Sequence, residues 1–174
     1  DSQSISKLET IQKREPNDVG VLLVLAGHYE RLGDTNKAKR AYAQILGINS
    51  NSLPAMLKLA NLTVGAPGNS DEALRLTKAA YSLARNDPQT KQSLAKLALN
   101  AGDHAWALRV FQEAAESTRE PEMDYDLALC QFWMGNPAAA EASARQALSK
   151  GTAFVRASEA QKFLEVLNLF NSAS

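Results

Sequence analysis

Two histidines, one cysteine and a short run of alternating acids are the residues here whose types could do chemistry. Nucleophilic catalysis needs a base within hydrogen-bond reach of the nucleophile. His28 falls in the middle of one predicted helix and His104 near the start of another. Neither stands at metal-ligand spacing from Cys130, which lies between Leu129 and Gln131 and reads as a small packing residue. Glu122, Asp124 and Asp126 alternate, so on a helix they do not all share one face, and an acid–base pair is not expected. Gly65-Ala66-Pro67-Gly68-Asn69-Ser70 precedes a helix and has the composition of a phosphate cradle. No Lys-Ser/Thr follows it and no strand precedes it, so it reads as an elongated turn. Lys37, Lys39 and Arg40 read as a solvated outer helix face, and Asn61-Leu62-Thr63 spells a glycosylation triplet inside a predicted helix. No catalytic, cofactor or metal site is expected, and the chain reads as non-enzymatic.

Composition narrows the partners. The 174 residues carry 19 basic and 19 acidic groups, so no bulk field favours nucleic acid or an anionic membrane. No apolar run approaches the ~18 residues of a membrane span, and no signal-peptide pattern opens the sequence. A single cysteine allows no internal disulfide, which suits a reducing compartment and is compatible with the periplasm.

The elements that would position any site follow from a repeated phrase. Gly33-Asp34-x-x-x-Ala38-x-x-x-Tyr42-x-x-Ile45 returns as Gly102-Asp103-x-x-x-Ala107-x-x-x-Phe111-x-x-Ala114. A weaker copy runs Gly135-Asn136-x-x-x-Ala140-x-x-x-Ala144-x-x-Ala147. The first two glycines are 69 residues apart and the next two 33, which is two periods and then one of about 34. Before the first glycine, Leu22, Leu25, Ala26 and Tyr29 share one helical face; after it, Ala38, Tyr42, Ile45 and Leu46 share another. Small residues at Ala26 and Ala38 let the two helices approach, and glycine takes the left-handed conformation that the turn between them needs.

This period, with small and large apolar residues at set offsets, resembles the tetratricopeptide repeat (TPR). The resemblance implies an all-α fold, a right-handed α-solenoid of antiparallel helix pairs, with about ten helices. Residues 1–174 read as a single domain divided into repeats over 19–52, 53–87, 88–120 and 121–151. The second repeat keeps Leu76, Ala80 and Leu83 on its second helix. In the fourth, Gln131 and Ala144 replace large apolar residues, which predicts looser packing. Residues 3–17 read as the second helix of a preceding partial repeat, or as an amino-terminal cap. Residues 152–174 read as a capping helix over about 153–170, with Phe154, Ala157, Ala160, Phe163, Leu164, Leu167 and Phe170 as its apolar, covering set. Arg156, Glu159, Lys162 and Glu165 are expected on its outside. The longer turn near Gly65–Gly68, the Asn86-Asp87-Pro88 opening and the closing helix also resemble a group of bacterial TPR proteins, some of them linked to exopolysaccharide export. That group's Asp-Thr-Leu-Gly-Trp signature is replaced here by Gln92-Ser93-Leu94-Ala95-Lys96.

In the family, the first helix of each repeat lines a concave groove. Carried over position by position, the groove would show Gly20, Leu23, Gly27, Glu30 and Arg31, then Pro54, Leu57 and Asn61 with Lys58 at the edge. It would continue with Gln89, Gln92, Lys96, Leu99 and Asn100, then Glu122, Tyr125, Leu129, Phe132 and Trp133. The clamp for a peptide's terminal carboxylate is missing, because Leu23 and Gly27, and Leu57, Ser93 and Glu122 one repeat later, stand where it needs Lys and Asn. The resemblance therefore implies a scaffold binding a protein or extended peptide, with Leu57, Asn61, Gln92, Lys96, Tyr125, Leu129 and Trp133 as candidate contacts. Tyr125, Phe132 and Trp133 suit anchoring, while packing of Phe132 and Trp133 on the final helix stays open. Glu122 and Asp126 would bias the partner towards a basic or neutral segment. The alternative is a structural segment of a longer array with little binding of its own.

Overall fold

A computed structural model describes residues 2–64, 69–84, 86–117, 119–151 and 153–172. Among them are ten α-helices and no strand. They are α1 Ser2–Arg14, α2 Val19–Arg31, α3 Thr35–Ile48, α4 Leu53–Thr63, α5 Ser70–Leu83, α6 Pro88–Asn100, α7 His104–Ala115, α8 Pro121–Trp133, α9 Pro137–Ser149 and α10 Ala157–Ser172. The chain is an all-α solenoid of antiparallel helix pairs. It divides into two compact units, Asp1–Leu83 with α1–α5 and Ala84–Ser174 with α6–α10. In the first, α2 packs on α3 and α4 on α5, with α1 against α2 and α3 against α4. In the second, α6 packs on α7 and α8 on α9, α7 touches α8, and α10 closes on α9.

The repeated Gly-Asp or Gly-Asn phrase does two jobs with one pair of residues. Gly33, Gly102 and Gly135 have φ of 74°, 90° and 76°, the left-handed region that ends a helix. At the first turn Gly33 N–H donates to Glu30 O at 3.0 Å and Asp34 N–H to Tyr29 O at 2.9 Å, the two bonds of a Schellman turn. Asp34 then caps α3, accepting from Lys37 N at 3.1 Å. Asp103 repeats this with Ala98 O and Trp106 N, and Asn136 with Gln131 O and Ala139 N. The residue after the glycine thus closes one helix with its N–H and opens the next with its side chain.

No atom lies within 4 Å of a Cβ built on Gly33 or Gly102, so space does not demand glycine there. Conformation does. Gly33→Val and Gly102→Val are each expected to cost ~1 kcal/mol or more, because a β-branched residue resists positive φ. Thermal unfolding of both variants checks this, and midpoints equal to the parent's would refute the turn assignment.

The two small residues expected to let paired helices approach, Ala26 and Ala38, are fully buried, and so are Ala95, Ala107, Ala128 and Ala140 at the same offsets in later repeats. Asp87 caps α6 ahead of Pro88, accepting from Thr90 N at 3.0 Å. Five expectations are corrected. Phe170, expected on the covering face of the last helix, is 59% exposed. Leu83 is exposed at the last residue of α5, where Ala80 and Ala84 take the buried positions instead. Leu46 is only half-buried, as its neighbour Ile45 takes the inward position. The last helix begins at Ala157 rather than near 153, after a turn containing Phe154. Arg156 points into the unit, as described below. The elongated turn over 65–68 lies outside the described residues.

Candidate functional site

In the carboxy-terminal unit, α6 and α8 lie side by side. Their shared face, with the turn before α10, borders a half-open cavity of about 340 Å³. Lys96, Leu99 and Asn100 come from the end of α6, Asp126, Leu129 and Trp133 from α8, and Arg156 from the turn. Spacing explains the set: Lys96 with Leu99 and Asn100, and Asp126 with Leu129 and Trp133, recur every three or four residues along one face.

Of the candidate contacts, Lys96, Leu129 and Trp133 meet at this cavity. Gln92 lies half-buried one turn earlier on α6, outside the lining. Leu57 and Asn61 share a face of α4 in the other unit, Leu57 half-buried and Asn61 exposed. Tyr125 does not stand open in a groove. It is 4% exposed, packs with Ala147 and Ala160, and meets Phe163 edge-on at 6.0 Å between ring centroids. The physical reason is α10, whose Phe163 also takes the edge of Phe132 at 5.5 Å. Trp133 remains 63% exposed. It stacks on His104 of α7, with centroids 5.4 Å apart and planes 10° from parallel, rather than on the last helix.

Two buried carboxylates were not legible as such. Asp126 is 1% exposed, so it offers no open charge to a basic partner. Arg156 Nη1 donates to its Oδ1 at 2.6 Å, and the guanidinium lies over the Tyr125 ring, 4.6 Å from the centroid. Arg156 also bonds Glu159 at 3.1 Å. Lys96 Nζ is 3.5 Å from Asp126 Oδ2, an ion-pair distance too long for a full hydrogen bond. That buried oxygen has no hydrogen-bond partner. Asp124 is fully buried and faces elsewhere, taking Arg119 Nε at 2.7 Å and Lys150 Nζ at 2.9 Å. Asp124 and Asp126 therefore occupy different faces of α8, and each is matched by two cations from outside that helix.

Burial, outweighing the attraction of Lys96 and Arg156, holds Asp126 above the usual carboxylate range. The folded chain then binds this proton more tightly than the unfolded chain. Stability should fall as pH rises from the ordinary aspartate value through the raised one. Asp126→Asn should flatten that slope, which denaturant unfolding at a series of pH values measures. Equal slopes in variant and parent would refute it. Cys130 behind it is buried, and burial first, then Asp126, pushes its thiol up to about 12, which leaves it a poor nucleophile.

In the amino-terminal unit, Glu30 is likewise engaged rather than open. It accepts from the Tyr42 hydroxyl and from Lys58 Nζ, the latter at 3.1 Å. Burial opposes its ionisation, but those two partners outweigh it and hold the carboxyl below its usual value. Burial and the bond to Glu9 raise the Tyr29 hydroxyl to about 12. His28 is half-buried, with Nδ1 2.7 Å from Arg31 Nη2. Among the described residues no group of three or more His, Cys, Asp or Glu could hold a metal ion, and no helix is long and apolar enough to cross a membrane.

Comparison with solved structures settles the fold. YrrB, described as a TPR protein with an unusual peptide-binding site, superposes with a TM-score of 0.80 at 15% identity, over 92% of this chain and 83% of that one. MamA gives 0.68 at 20% identity over 88% of each chain. TTC0263, a TPR protein of Thermus thermophilus, gives 0.62 at 21% identity over 90% of this chain and 88% of that one. The fold is that of a tetratricopeptide-repeat protein. No protein-family model and no curated protein matches the sequence. The TPR packing survives at this distance because it depends on residue size at a few offsets rather than on identity.

Proposed function

We propose that this TPR chain is a non-enzymatic interaction scaffold that binds an extended segment of a partner protein along the α6–α8 face. The repeats then run over 19–52, 53–87, 88–120 and 121–151, flanked by α1 and α10. One observation carries the reading: the cavity between α6 and α8 ends at Trp133, a large aromatic left 63% exposed beside Leu99 and Leu129. Exposed aromatics beside a concave apolar floor are the usual anchors of an interface. Peptide binding by YrrB, a protein of the same fold, supports it. The anchor is Trp133 and not Tyr125, whose removal would open the core. Gln92, one turn before Lys96, extends the same face, and Leu57 with Asn61 would serve a separate contact on α4.

Trp133→Ala should weaken a peptide selected on the intact chain by about thirtyfold or more, as desolvated aromatic anchors lose ~2 kcal/mol on truncation. Arg109→Ala, exposed on α7, should change nothing. Calorimetry on folded variants reads both, and the reverse ranking would move the site off this face.

A second reading, a stacking element of a longer array, draws on α10. Leu97 and Cys130 are each the tenth residue of their helices, and both are buried. Val166, the tenth of α10, is 53% exposed, and Leu169 and Phe170 beside it are also exposed.

A further inference from the structure

The cavity also says what kind of side chain it would receive. Asp126 is among its lining residues, and Asp126 Oδ2 is a buried acceptor without a hydrogen bond. Lys96 Nζ stands 3.5 Å from that oxygen on a flexible stem with its side chain 39% exposed. Lys96 and Arg156 are balanced by Asp126 and Glu159, so the four groups together carry no net charge. We propose that this cavity takes a neutral carboxamide, a glutamine or asparagine side chain of the partner segment, whose N–H donates to Asp126 Oδ2 while Lys96 donates to its carbonyl oxygen. This rests on the scaffold reading above.

The alternatives fit the chemistry less well. An incoming ammonium or guanidinium would be a third cation on a carboxylate that already faces two. An incoming carboxylate would meet the Asp126 charge, which low exposure leaves poorly screened. A hydroxyl carries donor and acceptor on one atom, whereas a carboxamide separates them, as Oδ2 and Nζ are separated. Because Oδ2 is buried, the donor must arrive on a stem, which favours a side chain over the main chain. When it enters, Lys96 need only swing from Oδ2 to the carbonyl, and Arg156 keeps its 2.6 Å bond to Oδ1. Leu99, Leu129 and the Trp133 ring would cover the apolar stem and its neighbour in the segment.

The test is selection of a random phage-displayed peptide library on the intact chain, followed by calorimetry on the tightest peptide and its single-residue variants. The expected result is a glutamine or asparagine at one critical position. Changing a critical glutamine to Glu or to Met should each weaken binding about tenfold or more, since a hydrogen bond to a charged group is lost. Lys96→Met, which leaves the Arg156–Asp126 pair intact, should weaken the parent peptide similarly. It should add little to the loss already shown by the Gln→Met peptide, because the two share one interaction. Circular dichroism confirms that the variant is folded. An acid, a base or a hydroxyl at the critical position, or losses that simply add, overturns the carboxamide and leaves the scaffold. No selected peptide, or peptides indifferent to Trp133→Ala, overturns both.

Discussion

Replacing Arg119 and Lys150 together by alanine should destabilise the carboxy-terminal unit by about 3–5 kcal/mol, the range for a buried charge left without its partner. Asp124 is 0% exposed, and its two oxygens are taken separately, Oδ1 by Arg119 Nε and Oδ2 by Lys150 Nζ. Lys150 also donates to Arg119 O at 3.1 Å, and Arg119 Nη2 to Gln146 Oε1 at 3.2 Å. The cluster thereby ties the approach to α8 to the end of α9. Either cation alone still neutralises the carboxylate, so each single variant should cost much less than the pair. Asp124→Ala should also cost less than the double variant, since Arg119 and Lys150 are 45% and 33% exposed and regain water. Adding Asp124→Leu to the double variant should return part of the loss, because an apolar side chain needs no partner. Urea unfolding of the parent and the five variants forms the cycle. Single-variant losses that sum to the double would show that the cations do not share one buried anion.

Removing residues 153–174 should have the other large effect. Phe163 covers the edges of Tyr125 and Phe132, and Phe154 packs on the cluster of Tyr125, Ala147 and Ala160. Leu167 is fully buried. Losing such contacts exposes side chains worth roughly 1.5–3 kcal/mol each before ordering entropy is counted. Arg156 leaves with them, so Asp126 keeps only the 3.5 Å contact with Lys96. The shortened chain should associate or lose its cooperative transition, which sedimentation and thermal unfolding would detect. Leu167→Ala is the milder form, expected to cost about 2–5 kcal/mol. A shortened chain that stayed monomeric at full stability would show that α10 does not cap the unit.

The fold was legible because helix pairing is local. Gly33, Gly102 and Gly135 mark turns that need positive φ, and the Asp or Asn after each supplies the next cap. Ala26 and Ala38, with Ala95 and Ala107 at the same offsets, mark close approach, and these requirements lie within one period of the chain. The resemblance to the TPR family likewise assigned Lys96, Leu129 and Trp133 to the groove, and all three line the α6–α8 cavity. What lies across from each residue was not legible. Tyr125 has the type of an anchor, and only the arrival of Phe163, 38 residues later, makes it core. Arg156 follows the pattern of an outer helix face, yet the chain turns before α10 and delivers it to Asp126, 30 residues back. Asp124 and Asp126 look like solvent-facing acids because their countercharges come from positions without any fixed sequence offset. Local spacing decides which face of its own helix a side chain occupies. Whether that face meets water, a ring or an opposite charge depends on helices brought together by the whole stack, and burial then changes the energy of every charge it encloses.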